Sequence, residues 1–229
     1  TKDMEYISKE TKHVTGLPES MGGSGDPSPV TAYGVYMGMK ASAKEVWGND
    51  SLSGKKVCVQ GAGHVGSNLV KHLTAEGAKV YVTDINKEAL QQVATTYKAE
   101  VVAPDSIFSL DVDIYAPCAL GATLNTENIS KLKCAIVSGA ANNQLADEVV
   151  HSKMLMDKGI LWAPDFLINA GGLINVYSEL KQFSRAEALK QTEHIYKVTL
   201  DIFKKSKEEK IPTLIAAMQM AEKRIYGGK

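Results

Sequence analysis

The sequence predicts an α/β fold in which a doubly wound, mostly parallel β-sheet is followed by helices at the C-terminus. Three observations support this fold class. From about residue 55, short apolar runs alternate with stretches of helical spacing. Several runs are nearly continuous Val, Ile, Leu and Cys, as expected for strands buried on both faces of a parallel sheet. After Gly171 and Gly172 the strand-like runs stop, and helical patterns continue to the C-terminus.

The elements are predicted in order from apolar spacing and from breaker residues. An irregular opening stretch, rich in Gly and Pro between Gly16 and Pro29, precedes a helix at residues 31–47, for which Thr31 is a candidate N-cap. Strands are predicted at residues 55–60, 79–84, 100–103, 112–117, 134–139 and 160–163. Helices are predicted at residues 65–76, 88–98, 147–158, 173–182, 186–206 and 213–226. We therefore divide the chain into an opening segment 1–30, a sheet domain 31–172 and C-terminal helices 173–229 that pack on it.

Composition narrows the class of protein. The 229 residues, with 44% hydrophobic and 23% charged side chains, are typical of a globular chain of one large or two small domains. The equal numbers of acidic and basic residues, 26 each, argue against a nucleic-acid or anionic-membrane partner. No apolar run approaches the roughly 18–20 residues that span a bilayer, and the first ten residues contain no secretory apolar segment. Three cysteines within apolar runs suit buried thiols, so we expect a cytoplasmic protein.

A glycine-rich turn follows the first predicted strand directly. Its residues are Gly61, Ala62, Gly63, His64, Val65 and Gly66, and a helix is predicted to begin within it. In a dinucleotide-binding turn the first glycine allows the tight turn, the second lets the backbone approach a pyrophosphate, and the third lets the helix pack closely. The helix N-terminus offers unpaired N–H groups and a partial positive charge to the phosphates. The context of strand, turn and helix therefore predicts a Rossmann-type dinucleotide-binding domain, although the glycines could also merely close a turn.

An acidic residue ends the second predicted strand. Asp84 lies 18 residues after Gly66, close to the spacing of about 20 that is usual for the ribose-binding acid, and Ile85 follows it. A carboxylate there accepts hydrogen bonds from the ribose hydroxyls and repels a 2′-phosphate. The sequence therefore favours NAD over NADP as the cofactor, although nearby Lys87 weakens the exclusion of NADP.

Four further segments carry a family resemblance. They are Ser-Pro-Val-Thr-Ala-Tyr-Gly at residues 28–34, Ala-Pro-Cys-Ala-Leu-Gly at 116–121, Gly-Ala-Ala-Asn-Asn-Gln at 139–144, and Ala-Pro-Asp-Phe-Leu-Ile-Asn-Ala-Gly-Gly at 163–172. Together with the glycine turn they resemble, over residues 3–226, the cofactor-binding half of the glutamate/leucine/phenylalanine/valine dehydrogenases, and the leucine-specific members most of all. The resemblance implies oxidative deamination of an L-amino acid with NAD, giving a 2-oxo acid, ammonium and NADH.

The resemblance also implies roles for individual residues. Thr31 would bind the nicotinamide carboxamide, Cys118 and Ala119 would line the nicotinamide ribose, and Asn142 would contact the nicotinamide or the substrate. Asn169 would help to hold the substrate or the nicotinamide. Since family members are usually oligomeric, the full-length enzyme would be a homo-oligomer, whereas this chain alone could be a monomer or a weak dimer.

The helical pattern near residue 198 bears on the choice of substrate. Ile195, Val198 and Leu200 are apolar, and no obvious cation is present there to hold a second carboxylate. This favours a branched-chain or aromatic amino acid over glutamate, with Val198 as a candidate substrate contact. The same spacing is equally well explained by core packing.

One departure from the family pattern is large. The family places an amino-acid-binding domain before this segment, with a lysine that polarises the carbonyl, a lysine that binds the substrate carboxylate, and a catalytic aspartate. These residues have no counterpart here, because Asp3 matches the segment after the catalytic aspartate. We therefore expect the chain to be the cofactor-binding half alone, with no catalytic residue assigned in it, and to be inactive by itself.

Several of these residues also have simpler structural explanations. Cys118 has no His nearby in sequence and is better explained as a buried thiol than as a nucleophile. The five histidines lack paired ligand spacing, so we predict no metal. Asn142 could be a turn former and Thr31 a helix cap.

The alternative functions are the NAD-binding domain of a phenylalanine or valine dehydrogenase, another two-domain Rossmann dehydrogenase, and a non-catalytic NAD-binding module.

Overall fold

The structure, a computed structural model, describes residues 2–227 and is built around one six-stranded parallel sheet. The strands are β1 (Lys56–Gln60), β2 (Lys79–Thr83), β3 (Glu100–Val101), β4 (Ile114–Pro117), β5 (Ile136–Val137) and β6 (Leu161–Trp162). Their order is β3-β2-β1-β4-β5-β6, and all neighbours are parallel. The order reverses between β1 and β4, which is the point at which doubly wound sheets bind ligands beyond the carboxyl ends of the strands. The predicted fold class is confirmed, and each predicted strand is present but shorter.

The helices lie on both faces of the sheet and after it. They are α1 (Lys2–Ile7), α2 (Ser28–Trp47), α3 (His64–Ala75), α4 (Lys87–Tyr97), α5 (Thr126–Lys131), α6 (Glu148–Asp157), α7 (Asp165–Ile168), α8 (Gly171–Lys181), α9 (Arg185–Thr192), α10 (His194–Glu209) and α11 (Thr213–Tyr226). Short 3₁₀ helices occupy Glu19–Met21 and Pro104–Ser109. The long helix α2, which precedes the sheet in sequence, packs against α3, α8 and α10.

Two hydrophobic clusters form the core, one on each face of the sheet. Val57 and Val59 of β1 belong to the cluster that contains residues of α2, α3 and α10. Cys58, between them, belongs to the opposite cluster, which contains residues of α5 and α6. Ile114 and Tyr115 of β4 divide in the same way. This alternation follows from the two-residue period of a strand and explains why the central strands are apolar throughout.

The start of α2 differs from the prediction. The helix begins at Ser28, so Thr31 is not its N-cap but lies in its first turn, where its hydroxyl donates to the carbonyl oxygen of Pro27 at 3.0 Å. Pro29 favours the earlier start, because proline has no N–H to leave unpaired and its φ angle is already helical. Asp26 Oδ1 accepts the backbone N–H of Ser28 at 2.9 Å and so fixes the approach to the helix.

The predicted helix at residues 186–206 is also divided. It consists of α9 and α10, separated at Glu193 by a tight turn in which the N–H of Tyr196 donates to the carbonyl oxygen of Glu193. Helix α9 begins with a capping box between Ser184 and Glu187, and the Ser-x-x-Glu pattern of this motif is present in the sequence.

The opening segment is more ordered than predicted. It contains α1 and a 3₁₀ turn, and a carboxylate of α8 fixes the backbone on both sides of the 3₁₀ turn. Glu179 Oε2 accepts the backbone N–H groups of Gly16 at 2.8 Å and Ser24 at 3.1 Å, and also the Ser24 hydroxyl at 3.0 Å. These contacts span more than 150 residues of sequence, so local pattern could not reveal them.

Candidate dinucleotide site

The three glycines of the turn have different environments. Gly61 has a φ of +115°, and its N–H donates to the carbonyl oxygen of Thr83 at 2.8 Å. A Cβ atom on Gly66 would lie 2.0 Å from the Gly61 carbonyl oxygen, so the turn and α3 can approach only without a side chain there. A Cβ atom on Gly63 would meet no atom within 4 Å. The first glycine is therefore required by its backbone conformation and the third by packing, whereas the second borders open space.

Helix α3 begins at this open space. Its N-cap, Gly63, provides no side-chain acceptor, so the N–H groups of His64, Val65 and Gly66 have no partner within the helix. These groups and the helix dipole create a positive potential suited to an anion. The imidazole of His64 is 86% exposed, and its Nδ1 lies 3.6 Å from Asp26 Oδ2. The backbone of the turn, rather than the His64 side chain, thus provides the anion-binding geometry.

Asp84 lies beside the turn at the carboxyl end of β2. Its Oδ2 accepts the N–H of Ala62 at 2.6 Å, and its Oδ1 accepts the N–H of Asn86 at 2.7 Å. Asn86 in turn caps α4. The carboxylate therefore connects the glycine turn to the start of α4, and each oxygen retains a lone pair for a ligand hydroxyl.

A cavity of about 200 Å³ opens between the end of β2 and the segment after β4. The side chains of Ile85 and Leu120 border it and are 92% and 79% exposed. Thr83 also lines it, and the buried Thr83 hydroxyl has no hydrogen-bond partner in the described part of the chain. Its lining residues are Gln60, Gly61, Thr83, Asp84, Ile85, Pro104, Ala119, Leu120 and Thr123. The exposed side chains of Ile85 and Leu120 form an apolar slot suited to a flat ring.

Farther along the same carboxyl edge of the sheet, beyond β5 and β6, Asn142 and Asn169 meet. Asn169 Nδ2 donates to Asn142 Oδ1 at 2.5 Å and lies 3.2 Å from the carbonyl oxygen of Ala140. Asn142 itself is exposed, in the loop that follows β5, and its neighbour Asn143 has a φ of +52°. The pair joins this loop to the end of α7.

Thr31 lies near the pair formed by Asn142 and Asn169. The start of α8 packs so closely on the first turn of α2 that a Cβ atom on Gly172 would lie 2.6 Å from Thr31 Oγ1. One on Gly171 would lie 2.2 Å from the carbonyl oxygen of Val30. Since the N–H of Gly172 donates to the carbonyl oxygen of Asn169, the two glycines connect Thr31 to the asparagine pair.

Cys118 and Ala119 lie between the cavity beside Asp84 and the pair formed by Asn142 and Asn169. The backbone N–H of Cys118 donates to the carbonyl oxygen of Gln60 at 2.7 Å, which places the residue beside the glycine turn. Burial raises the pKa of the Cys118 thiol to about 12, so it is protonated at neutral pH and is a poor nucleophile. Ala119 is exposed and lines the Ile85–Leu120 cavity.

Val198 lies in a different environment from the residues described above. It lies on α10, is half-buried, and packs against the hydrophobic cluster shared with α2 and α3. Its role in substrate binding therefore stays a prediction.

Sequence analysis missed two buried polar residues next to Asn142. Asp165, the first residue of α7, is 7% exposed and accepts the N–H groups of Gln144 at 2.9 Å and Phe166 at 2.7 Å. Burial raises the pKa of its carboxyl group, and these hydrogen bonds oppose the shift. Gln144 is fully buried and hydrogen-bonds within its own loop. Both residues lie in segments that carry the family resemblance, and a polar residue within an apolar motif was the available signal.

Residues 2–227 contain neither a cluster of metal-ligating side chains nor a membrane-spanning helix. No group of three or more His, Cys, Asp or Glu side chains there could hold a metal ion. Within the same residues no helix is long and apolar enough to cross a membrane.

Comparison with known proteins identifies related sequences. The family model described as glutamate/leucine/phenylalanine/valine dehydrogenase matches residues 22–86 and 81–227. Leucine dehydrogenase of Thermoactinomyces intermedius is 55% identical over 224 residues, which are 98% of this chain and 61% of that protein. L-tryptophan dehydrogenase of Nostoc punctiforme is 47% identical over 227 residues, covering 99% of this chain and 64% of that protein. The chain therefore spans somewhat less than two thirds of the length of these relatives.

Solved structures show the same fold. The crystal structure of L-tryptophan dehydrogenase from Nostoc punctiforme matches with a TM-score of 0.85 and 47% identity, covering 88% of this chain and 61% of that one. A hetero-hexameric glutamate dehydrogenase from Thermus thermophilus matches with a TM-score of 0.76 over 96% of this chain and 58% of that one. At 23% identity the second match is a likeness of fold alone.

Proposed function

Because the chain belongs to the glutamate/leucine/phenylalanine/valine dehydrogenase family, as its motifs indicated, we propose that it supplies the NAD-binding half of an amino-acid dehydrogenase. The reaction is the oxidative deamination of L-leucine or another branched-chain amino acid to the 2-oxo acid, with release of ammonium. The observation that carries the proposal is the contact between Asp84 and the glycine turn, beside an open cavity.

The adenosine end of NAD fits the cavity beside Asp84. Ile85 and Leu120, whose side chains are exposed at the cavity, would contact the faces of the adenine. Asp84 would accept hydrogen bonds from the ribose hydroxyls through its remaining lone pairs. Its negative charge would repel a 2′-phosphate, which supports NAD rather than NADP.

The pyrophosphate fits the start of α3. The N–H groups of His64, Val65 and Gly66 would donate to its oxygens, and the open space at Gly63 allows it to approach the backbone. Cys118 and Ala119 border the path from there to the asparagine pair, and we propose that they contact the nicotinamide ribose.

The nicotinamide end fits the region of Thr31, Asn142 and Asn169. Bound NAD would supply the hydride acceptor for oxidation of the amine. Asn169 holds Asn142 Oδ1, so the exposed amide NH₂ group of Asn142 can donate to a carbonyl of the nicotinamide or the substrate. Thr31 would hydrogen-bond the carboxamide. These residues orient the ring and involve no proton transfer, so we propose that the base and the carbonyl-polarising lysine belong to the amino-acid-binding domain typical of the family.

The branched-chain substrate is supported by the leucine dehydrogenases among the relatives, at 55% and 50% identity. An aromatic substrate is the second candidate, because a tryptophan dehydrogenase is 47% identical. Val198, on α10, is proposed to contribute to the side-chain pocket. We further propose that the whole enzyme acts in the cytoplasm as a homo-oligomer.

Titration of the purified chain with NADH and NADPH, followed by nicotinamide fluorescence, tests the proposal. We expect saturable NADH binding and much weaker NADPH binding, with no NADH production from L-leucine by the chain alone. Addition of the amino-acid-binding domain of a related leucine dehydrogenase should then restore turnover, with L-leucine preferred to L-tryptophan.

Each alternative gives a different result. Binding of neither nucleotide would contradict the proposed site. NADH binding without any restored turnover would favour a non-catalytic NAD-binding module. Substantial NADH production by the chain alone would show that the base lies within it.

A further inference from the structure

The loop that presents Asn142 is held at both ends of a four-residue helix. At the start of α7, Asp165 Oδ2 accepts the N–H of Gln144 at 2.9 Å. Just after its end, Asn169 donates to Asn142 Oδ1 and lies against the carbonyl oxygen of Ala140. The same short helix therefore fixes the loop on both sides of Asn142.

Gln144 stiffens this loop from within. Its side-chain Nε2 donates to the carbonyl oxygens of Gly139 at 2.8 Å and Ala141 at 3.0 Å, and its Oε1 accepts the indole N–H of Trp162 at 3.0 Å. Between these anchor points the chain must pass through Asn143 in a left-handed conformation, with a φ of +52°. Such a conformation is uncommon outside glycine and persists when the surrounding contacts determine it.

The carboxylate of Asp165 is unusual in its surroundings. It is 7% exposed, and in residues 2–227 no Lys, Arg or His side chain forms an ion pair with it. Glu148 is the charged neighbour on α6 and repels it. Its described partners are the two backbone N–H groups of Gln144 and Phe166. A buried charge held only in this way is costly, which calls for a role beyond packing.

We infer that Asp165 is a positioning residue for the nicotinamide end of the site, because it holds the Gln144 backbone and thereby fixes where Asn142 presents its amide. The inference rests on the proposed NAD-binding function. It predicts that loss of Asp165 weakens contacts with the nicotinamide and leaves contacts with the adenosine diphosphate portion unchanged. Asp84 and the glycine turn, which would bind that portion, belong to other loops.

The test compares two ligands on two variants of this chain. NADH contains the nicotinamide, and ADP-ribose lacks it. Asp165→Ala removes the acceptor of the Gln144 N–H, whereas the control Asp113→Ala removes an equivalent acceptor of the Lys56 N–H at the opposite, amino end of β1. For Asp165→Ala we expect NADH to bind about tenfold more weakly, with ADP-ribose binding within about twofold of wild type. For Asp113→Ala we expect the ratio of the two dissociation constants to stay at the wild-type value.

Other outcomes overturn the inference. Equal weakening of both ligands would mean that Asp165 acts through general stability, and unchanged NADH binding would mean that it does not position Asn142. If Asp165→Ala does not fold, Asp165→Asn decides by the same ratio, because its amide has one acceptor oxygen for the two N–H groups of Gln144 and Phe166. Wild-type protein that binds neither ligand would instead refute the proposed function, and the inference with it.

Discussion

The carboxylate of Asp84 accepts the backbone N–H of Ala62 at 2.6 Å, which ties the carboxyl end of β2 to the centre of the glycine turn. Its second oxygen holds the N–H of Asn86 at the start of α4. The side chain proposed to select NAD therefore also fixes the loop proposed to bind the pyrophosphate. Cofactor choice and the shape of the turn are consequently coupled through one residue.

This coupling predicts that replacing Asp84 does not simply convert the site to NADP. In Asp84→Ser we expect NADH binding to weaken by about 1.5–3 kcal/mol. The reason is that the carboxylate, which accepts the N–H groups of Ala62 and Asn86, no longer holds the turn. NADPH binding should improve little, because the turn is loosened as well. Both dissociation constants can be measured by fluorescence titration, with the exposed Asp111→Ser as control. NADPH binding as tight as wild-type NADH binding would show that Asp84 acts on selection alone.

The glycines provide a matched pair of substitutions. Gly66→Ala places a Cβ atom 2.0 Å from the Gly61 carbonyl oxygen, so the turn must move away from α3. We expect a loss of stability of about 1–3 kcal/mol, measured by urea unfolding, together with loss of NADH binding. Gly63→Ala meets nothing within 4 Å and has a φ of −69°, so its stability should equal that of wild type.

The Gly63 variant then isolates the effect on the ligand. If the pyrophosphate lies against this backbone, the added methyl group should weaken NADH binding without changing urea stability. Unchanged NADH affinity in folded Gly63→Ala would place the phosphates elsewhere.

The fold was predictable because its signals are local. The apolar runs of β1 and β4 and the glycine turn after β1 each occupy a few consecutive residues, and their order specifies a doubly wound sheet. Helix α2 begins at Ser28, three residues before the predicted start at Thr31, because Pro29 suits a first helical turn although proline is also typical of irregular segments. The division of residues 186–206 depends on one tight turn at Glu193, which apolar spacing does not encode.

The sequence signals for the candidate site are clear only where one residue type has one evident use, as for glycine in a tight turn and aspartate at the end of a strand. The structure brings this turn and this aspartate together, because the Ala62 N–H donates to Asp84. The side chains of Asp165 and Gln144 contact backbone groups of the loop that contains Asn142. Since every residue possesses such groups, the identity of Asp165 or Gln144 alone does not indicate a partner. The contacts of Glu179 with Gly16 and Ser24 were equally inaccessible, because they require the tertiary fold.

The cysteines should be chemically inert in the folded chain. Burial raises the pKa of the thiols of Cys58 and Cys118 to about 12 and that of Cys134 to about 11. At about pH 8 the thiolate is a negligible fraction of each, so we expect no reaction with an aromatic disulfide reagent on the time scale of native measurements. After unfolding all three should react. Rapid reaction of Cys118 in the native protein would contradict its interpretation as a buried, unreactive thiol.

Acid should weaken the attachment of α3 to α2 through Glu76. Its carboxylate accepts hydrogen bonds from the Tyr36 hydroxyl at 2.6 Å, the Lys40 ammonium at 2.9 Å and the Leu52 N–H at 3.0 Å. Burial alone raises the pKa of Glu76, but these bonds and the Lys40 charge outweigh it and lower the pKa below its ordinary value. Since the folded pKa lies below the unfolded one, the stabilisation is complete above the unfolded pKa and is lost as the pH falls through the folded pKa. In Glu76→Gln we expect a Tm about 2–4 °C lower near pH 7, with the difference from wild type shrinking as the pH falls through the folded pKa of Glu76. The exposed Glu127→Gln is the control and should change Tm far less. A Glu76→Gln difference that stays constant over the whole acid range in which the wild type remains folded would contradict the assigned role.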